Sequence, residues 1–220
     1  MADVPHRNET DDFDAVRKLA MELAAISESG LAYSTNDYDI GRFHQVGEVA
    51  HELSQKILLG QNGSYSRHLA SIAGYTTPKL DVRGGVFDED GRVLLVAEVA
   101  DGDRWTLPGG WCDILETPSH AARREVWEEA GLKVRVTQLA GLLDREVWPH
   151  TPKFDRHMYK MLFVCEPLGE LDPTYTSMET SGVGWFDVDN LPTLAISRTL
   201  PEQIRLLREH WLNPGPAYFD

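Results

Sequence analysis

The chain has 220 residues, of which 42% are hydrophobic and 25% charged, enough for one large domain or a domain with a smaller module. No apolar run is long enough to cross a bilayer, and residues 1–15 are polar and acidic, so we expect neither a membrane span nor a secretory signal. The 35 acidic and 21 basic residues give a net charge of −14, which disfavours DNA, RNA and anionic membranes as partners.

Cys112 and Cys165 are the only cysteines, and they are too few for a disulfide framework and lack metal-site spacing. A reduced, cytoplasmic enzyme is therefore the simplest interpretation. The acidic charge does not exclude small phosphorylated substrates, because a bound metal and a few arginines override net charge at short range.

Two helices are predicted near the N-terminus. Apolar residues recur at helical spacing over Asp11–Ser29, with Gly30 as the stop, and over Phe43–Leu58 before Gly60. Residues 34–37 can cap the second helix. A hairpin of this size cannot bury both apolar stripes alone, so we expect it to pack in a homodimer rather than only on its own subunit. The residues expected at the interface are Leu19, Leu23, Val46 and Leu53.

The pattern changes from helix to strand near residue 78. We predict a helical N-terminal domain over residues 1–60, a linker over 61–77 and a larger domain over 78–220. The elements predicted in the larger domain are strands over Leu80–Phe87, Val93–Val96, Trp105–Leu107, Val134–Leu143, Met158–Cys165 and Gly182–Phe186, a hairpin turn at Asp90-Gly91, and a last helix over Gln203–Trp211. This order predicts an α/β domain with helices packed on a sheet.

One further helix, preceded by a glycine-containing loop, has clear start and stop signals. Thr117 is a good N-cap, Pro118 suits the first helical position, and Gly131 supplies a left-handed end. These signals predict a helix over the residues between them.

The same helix carries three glutamates on one face. Glu125, Glu128 and Glu129 are spaced i, i+3 and i+4, and like charges at this spacing destabilise an isolated helix. A hard divalent cation such as Mg²⁺ reverses that penalty, because it binds carboxylate oxygens. Arg124 can orient a carboxylate by charge-assisted hydrogen bonds. A solvated acidic helix face is the alternative.

The spacing of these residues resembles the signature of the Nudix hydrolase family. The pattern Gly110-x5-Glu116-x7-Arg124-Glu-(apolar)-x-Glu-Glu-x-Gly-(apolar) agrees with that signature at every defined position. The resemblance implies the Nudix α/β/α sandwich with a mixed sheet for the larger domain, preceded by the small helical domain. It also implies hydrolysis of a diphosphate bond that depends on Mg²⁺, for which Mn²⁺ can substitute.

The resemblance implies roles for individual residues. Glu125, Glu128, Glu129 and the main-chain carbonyl of Gly109 are expected to hold metal, with Arg124 in the catalytic set. Glu116 is expected to support the arginine. One glutamate takes a proton from water, and which one does so stays open.

Many Nudix enzymes add one more acid from a later loop. Glu179 is the candidate here, with Glu146 as the runner-up, and a solvated loop glutamate is the alternative. Arg83 and Arg104 are candidates for binding substrate phosphates, because arginine offers a bidentate fork, although a surface role for Arg104 is the alternative.

The long loop over residues 144–157 is expected to contribute to specificity. Within it, Trp148 either stacks on a base or packs as an ordinary aromatic residue, and His150 and His157 are further polar candidates.

The helical extension and the segments Pro78–Arg83 and Thr199–Ile204 resemble one Nudix subgroup. Its members cleave nucleoside diphosphates linked to another moiety, X, and act on ADP-ribose or CDP-choline. The products expected are a nucleoside monophosphate and phosphorylated X. The alternatives are an RNA-directed Nudix enzyme, which needs a basic groove, and a non-catalytic Nudix sensor coupled to transcription, which needs a DNA-binding module.

Overall fold

The structure is a computed structural model that describes residues 9–59, 77–113, 115–154, 156–172 and 174–220. Its contacts divide the chain into two compact units, one of Met1–Pro78 with Phe154–His157 and one of Lys79–Lys153 with Met158–Asp220. The predicted linker over 61–77 lies almost wholly outside the described residues, so the domain limits stay predictions. No helix in the described part of the chain is both long and apolar enough to cross a membrane.

The N-terminal unit contains α1 (Glu9–Tyr33) and α2 (Asp37–Leu59). Asn36 begins α2, because its side-chain oxygen accepts a hydrogen bond from the Tyr38 amide at 2.8 Å. The prediction that Gly30 stops the first helix is wrong. Helix α1 continues through Gly30, where a Cβ would lie 2.3 Å from the ring of Phe43, so the glycine allows α2 to approach closely.

The larger unit contains two sheets and two helices. Its elements are β1 (Lys79–Val86), β2 (Val93–Glu98), β3 (Arg104–Thr106), α3 (Pro118–Ala130), β4 (Val134–Asp144), β5 (Met158–Pro167), β6 (Thr180–Phe186), α4 (Pro201–Leu212) and β7 (Tyr218–Phe219). One sheet has the order β1-β5-β4-β7 and mixes parallel and antiparallel pairs, and the other, β3-β2-β6, is antiparallel. This arrangement confirms the predicted α/β architecture with a mixed sheet and packed helices.

The predicted turn at Asp90-Gly91 forms, with Gly91 in the left-handed region at φ 77°. The predicted pairing of the flanking strands is wrong, however. Strand β1 pairs with β5 and β2 pairs with β3 and β6, so within the described residues the two meet at an isolated bridge between Phe87 and Val93. The turn therefore connects two sheets rather than closing a hairpin.

The core lies on both faces of β1 and β2. A Cβ at Gly84 would lie 2.6 Å from Val126 of α3, and one at Gly85 would lie 2.8 Å from Leu207 of α4, so the paired glycines let the two helices approach from opposite sides. Strand β2 alternates in the same way. Leu94 and Val96 belong to the apolar cluster that contains α3 residues, whereas Val93 and Leu95 belong to the cluster that contains α4 residues.

Candidate active site

The loop before α3 is bound along β1. The amides of Val82 and Gly84 donate to the carbonyls of Gly110 and Pro108 at 2.8 and 2.9 Å. Gly109 lies between them with φ 148°, and a Cβ there would lie 2.0 Å from the Val82 carbonyl oxygen, so no side chain fits. Its own carbonyl accepts no hydrogen bond from the described residues, although its neighbours' carbonyls do.

Helix α3 begins and ends as predicted. Thr117 is its N-cap, and Gly131 ends it at φ 66°. The first and last of the three glutamates on the helix, Glu125 and Glu129, then lie directly against the glycine loop. The Gly109 amide donates to Glu129 Oε2 at 2.9 Å, and a Cβ at Gly110 would lie 2.8 Å from Glu125 Oε1. The glycines thus allow the loop to run close to two buried carboxylates.

Arg124 connects the remaining signature residues. Its Nε and Nη2 donate to the two oxygens of Glu116 at 3.0 and 2.9 Å, and its Nη1 donates to Glu125 and Glu128, each at 2.9 Å. These hydrogen bonds from Arg124, with burial opposing them, hold the pKa of Glu116 at about 2. Glu116 therefore occupies the place expected of a residue that supports the arginine, and its role in function stays a prediction.

Burial separates the three helix glutamates. Glu128 is half exposed, whereas Glu125 is buried and Glu129 is only 3% exposed. Burial raises the pKa of Glu125, while Arg124 opposes the rise. Burial, helped by the carboxylates of Glu125 and Glu98 and opposed by Arg83 and the Gly109 amide, raises the pKa of Glu129 to about 8. Negative charge is therefore poorly compensated on this side of the site.

The structure buries Arg83, one of the two candidates for phosphate binding. Its side chain is 3% exposed, its Nε and Nη2 donate to both oxygens of Asp81 at 3.0 and 2.7 Å, and its Nη1 donates to the Leu107 carbonyl at 3.0 Å. Lys160 donates to the same Asp81 carboxylate at 2.5 Å. Although burial opposes them, these two cations hold the pKa of Asp81 at about 2. Arg83 therefore lies beneath Gly109 as a buried cation whose donors are bound within the chain, and phosphate binding by it stays a prediction.

The other candidates lie at the rim. Arg104 is exposed, and its side chain has no hydrogen bond or ion pair within the described residues, so phosphate binding by it stays a prediction. Glu179 is exposed, and its main-chain carbonyl accepts from Val99 at 3.1 Å, at the start of β6. Its catalytic role also stays a prediction. Glu146, the runner-up, lies in the loop after β4 with its carboxylate 4.0 Å from Lys153.

Two of the residues singled out in the long loop, Trp148 and His150, make contacts within the larger unit. Trp148 donates to Asp220 at 3.1 Å and packs edge-on against Tyr218, as the packing alternative predicted. His150 is buried between the Ile196 carbonyl and the Gln203 amide, at 2.9 and 3.0 Å. Burial lowers its pKa to about 3, so it is neutral and positions this loop. His157 belongs to the segment grouped with the N-terminal unit.

The residues present suit a hard divalent cation by their chemistry. In the described ranges no three acidic, histidine or cysteine side chains are already grouped to hold a metal ion. The reason is that Arg124 binds Glu125 and Glu128, while the Gly109 amide binds Glu129. The carboxylates and the unpartnered Gly109 carbonyl nevertheless form an oxygen-only donor set, which is the set that Mg²⁺ prefers.

Glu98, at the end of β2, was missed by sequence reasoning. It is 5% exposed, and its charge raises the pKa of Glu129, so it lies beside the signature glutamates. The available signal was the alternation of β2, which puts residue 98 on the same side as Leu94 and Val96. The alternation of β2 therefore indicates that the Glu98 carboxylate lies on the side of the sheet that faces the signature helix.

Two sequence families match the chain. The NUDIX domain matches residues 78–209, and a UDP-X-like, N-terminal oligomerisation domain matches residues 14–57. YjhB of Bacillus subtilis (strain 168), which carries a provisional assignment as an ADP-ribose pyrophosphatase, is 32% identical over 198 residues, covering 89% of this chain and 91% of that protein. A MutT-like protein of Streptomyces ambofaciens is 38% identical over 119 residues, covering 53% of this chain and 70% of that protein.

Solved structures agree with these matches. An ADP-ribose pyrophosphatase from Streptococcus suis 89-1591 has a TM-score of 0.57 and 36% identity, covering 66% of this chain and 100% of that one. A UDP-X diphosphatase has a TM-score of 0.58 and covers 94% of this chain and 99% of that one, but at 23% identity it shows the fold alone. The predicted α/β/α sandwich with a helical extension is confirmed.

Proposed function

Because the chain belongs to the Nudix hydrolase family, we propose that it is a Mg²⁺-dependent pyrophosphohydrolase that cleaves a nucleoside diphosphate linked to X. The products are a nucleoside monophosphate and phosphorylated X. The family as a whole is one of hydrolases that generally use divalent metal ions. The use of Mg²⁺ and the choice of a nucleoside diphosphate linked to X are the proposed properties of this chain.

One observation carries the proposal. The carboxylates of Glu125 and Glu129 lie against the Gly109–Gly110 loop, and the Gly109 carbonyl among them has no partner within the described residues. Arg124 holds Glu125 and Glu128 in fixed positions from the same helix. This is an oxygen-lined site with excess negative charge, as a cation and a diphosphate together require.

Each residue has a definite task in this proposal. Glu125, Glu128, Glu129 and the Gly109 carbonyl would hold the metal, which neutralises the diphosphate and lowers the pKa of water. Arg124 orients the carboxylates, and Glu116 fixes the arginine through both of its oxygens. Glu129 and Glu179 are the two candidates for taking the proton from the attacking water.

The relatives support ADP-ribose as the first choice of substrate, since two similar proteins have ADP-ribose pyrophosphatase in their names. CDP-choline is the second choice, and the match of residues 14–57 to a UDP-X-like N-terminal domain adds UDP-linked compounds to the set worth testing. The two cysteines are free thiols, as a cytoplasmic enzyme would require.

A substrate panel tests the proposal. Purified protein with Mg²⁺ is incubated with ADP-ribose, CDP-choline, a UDP-sugar and nucleoside triphosphates, and phosphate is measured after added phosphatase. We expect the highest kcat/KM with a nucleoside diphosphate linked to X, loss of turnover in excess EDTA, and recovery with Mg²⁺ or Mn²⁺. Full turnover in EDTA would refute the metal, and preference for a triphosphate would refute the substrate class.

The N-terminal unit supports a homodimer. Val16, Leu19 and Ile26 of α1 are 37%, 55% and 49% exposed, and with Leu23 they follow a single face of the helix. Of the other predicted interface residues, Val46 and Leu53 are half-buried in the single chain. An exposed apolar face in a region that matches an oligomerisation domain is best covered by a second copy.

A further inference from the structure

Glu98 lies where β2 reaches the signature helix. It is paired across the sheet with Arg104 on one side and Thr180 on the other. The Thr180 hydroxyl donates to the Glu129 carbonyl at 2.8 Å, so the strand beside Glu98 is bound to the end of α3. The main-chain carbonyl of Glu179 accepts from Val99, next to Glu98 in the chain. Glu98 therefore stands between the signature glutamates and the rim.

The Glu98 carboxylate is only half satisfied. Its Oε1 is 3.2 Å from Nη2 of Arg198, and Arg198 is fixed in turn by its Nε, which donates to Asp101 at 2.5 Å. Its Oε2 is buried and accepts no hydrogen bond from any described residue. A buried oxygen without a hydrogen-bond donor lowers stability by about 1–3 kcal/mol, and by more if it is charged. A ligand that donates a hydrogen bond to Oε2 would remove this penalty.

The charges around Glu98 limit the chemistry of that partner. Arg198 and Arg83 attract the carboxylate, whereas Asp101, Glu179 and Glu129 repel it, and burial raises the pKa of Glu98. Three neighbouring carboxylates repel a phosphate at this position. A neutral hydroxyl is not repelled, and it can donate a hydrogen bond to the free carboxylate oxygen.

We propose that Glu98 Oε2 accepts a hydrogen bond from a sugar hydroxyl of the substrate and so selects sugar-bearing diphosphates. This inference rests on the proposed function and adds a specificity-determining residue to it. Arg198 and Asp101 act as positioning residues, because Arg198 binds Glu98 Oε1, Asp101 fixes Arg198, and Oε2 is left without a donor. A site built to hydrogen-bond a hydroxyl discriminates strongly against a compound that lacks it, since the buried acceptor is then left unpaired.

The experiment compares three substrates in wild type, Glu98→Ala and Glu98→Gln. The substrates are ADP-ribose, the methyl ester of ADP, and the methyl ester of 2′,3′-dideoxy-ADP, which carries no sugar hydroxyl. For each protein, kcat/KM on ADP-ribose is divided by kcat/KM on the hydroxyl-free ester. A reduced folded fraction lowers both values equally, so the ratio still reports the hydroxyl contact in a destabilised variant.

We expect the ratio to fall about 10- to 100-fold in Glu98→Ala, the range for a hydrogen bond to a charged group. Glu98→Gln should fall less, because its amide oxygen still accepts. The control Glu89→Ala removes an exposed glutamate from the turn after β1 and should keep the wild-type ratio. The methyl ester of ADP shows which sugar donates the hydroxyl. It keeps the hydroxyls of the nucleoside and has a methyl group in place of the sugar of X.

Three results would overturn the inference. If Glu98→Ala lowers kcat/KM equally on all three substrates, Glu98 does not contact a hydroxyl, while the proposed function survives. If Mn²⁺ affinity without substrate, measured by electron paramagnetic resonance, weakens more than about 10-fold in Glu98→Ala, the residue is a metal ligand. If the wild type hydrolyses the hydroxyl-free ester as fast as ADP-ribose, no sugar hydroxyl is selected and the inference fails, while the proposed function survives. If the wild type hydrolyses neither these three nor CDP-choline nor a UDP-sugar, the proposed function itself fails.

Discussion

Replacing Glu129 by Gln should stabilise the metal-free protein at alkaline pH while removing its activity. In the folded chain burial raises the pKa of Glu129 to about 8 from an ordinary 4.5. Between these values the folded chain keeps a proton that the unfolded chain releases, so stability falls as the pH rises from 4.5 to 8. The difference corresponds to at most about 5 kcal/mol. Glutamine carries no charge and can still accept from the Gly109 amide.

The assay is urea unfolding in EDTA at pH 5 and pH 9. We expect Glu129→Gln to be more stable than wild type by about 2–5 kcal/mol at pH 9 and by only ~1 kcal/mol at pH 5. Turnover with Mg²⁺ should fall on the order of 10²-fold or more, the scale of removing a positioned acid–base or electrostatic group. Glu128→Gln is the matched control, because its half-exposed carboxylate should change stability by about 0.5 kcal/mol or less.

Equal stability of wild type and Glu129→Gln at pH 9 would refute the reasoning, since it would mean that the buried carboxylate carries no unfavourable charge. A near-wild-type turnover would remove Glu129 from the site altogether. The two readouts are independent, so burial can prove correct even if the catalytic assignment fails.

Gly109→Ala should lower the free energy of unfolding, measured with urea, by about 2–4 kcal/mol, because the left-handed backbone and the Val82 carbonyl exclude a Cβ. The control Gly169→Ala, at an exposed glycine, should change it by ~0.5 kcal/mol or less. Arg124→Lys should reduce kcat about 10- to 100-fold, since an ammonium cannot bind both oxygens of Glu116; an unchanged kcat would contradict this. By light scattering, the full chain should be dimeric and a chain beginning at Thr77 monomeric; a dimeric truncated chain would exclude the hairpin as the interface.

The signature helix could be predicted from sequence because its determinants are local. The N-cap, the left-handed glycine and the three glutamates all lie within 15 residues, and the structure keeps each in its expected place. The first helix continues past its predicted stop at Gly30, where the absent side chain leaves room for the ring of Phe43 from the next helix. The two-residue β7 was not predicted, since it is too short to show a pattern and depends on pairing with β4.

The partners of the charged residues could not be predicted from the sequence. Arg83 and Arg104 are the same residue type, and both are predicted to bind phosphate. In the structure Arg83 is bound by Asp81, which also binds Lys160 from a strand nearly eighty positions later in the chain. The side chain of Arg104, in contrast, is exposed and has no partner among the described residues. A buried arginine with a bidentate partner cannot release it for a ligand without leaving an uncompensated charge. Burial therefore favours Arg104 over Arg83 for phosphate binding, which stays a prediction for both residues, and Arg104 lies directly across the sheet from Glu98.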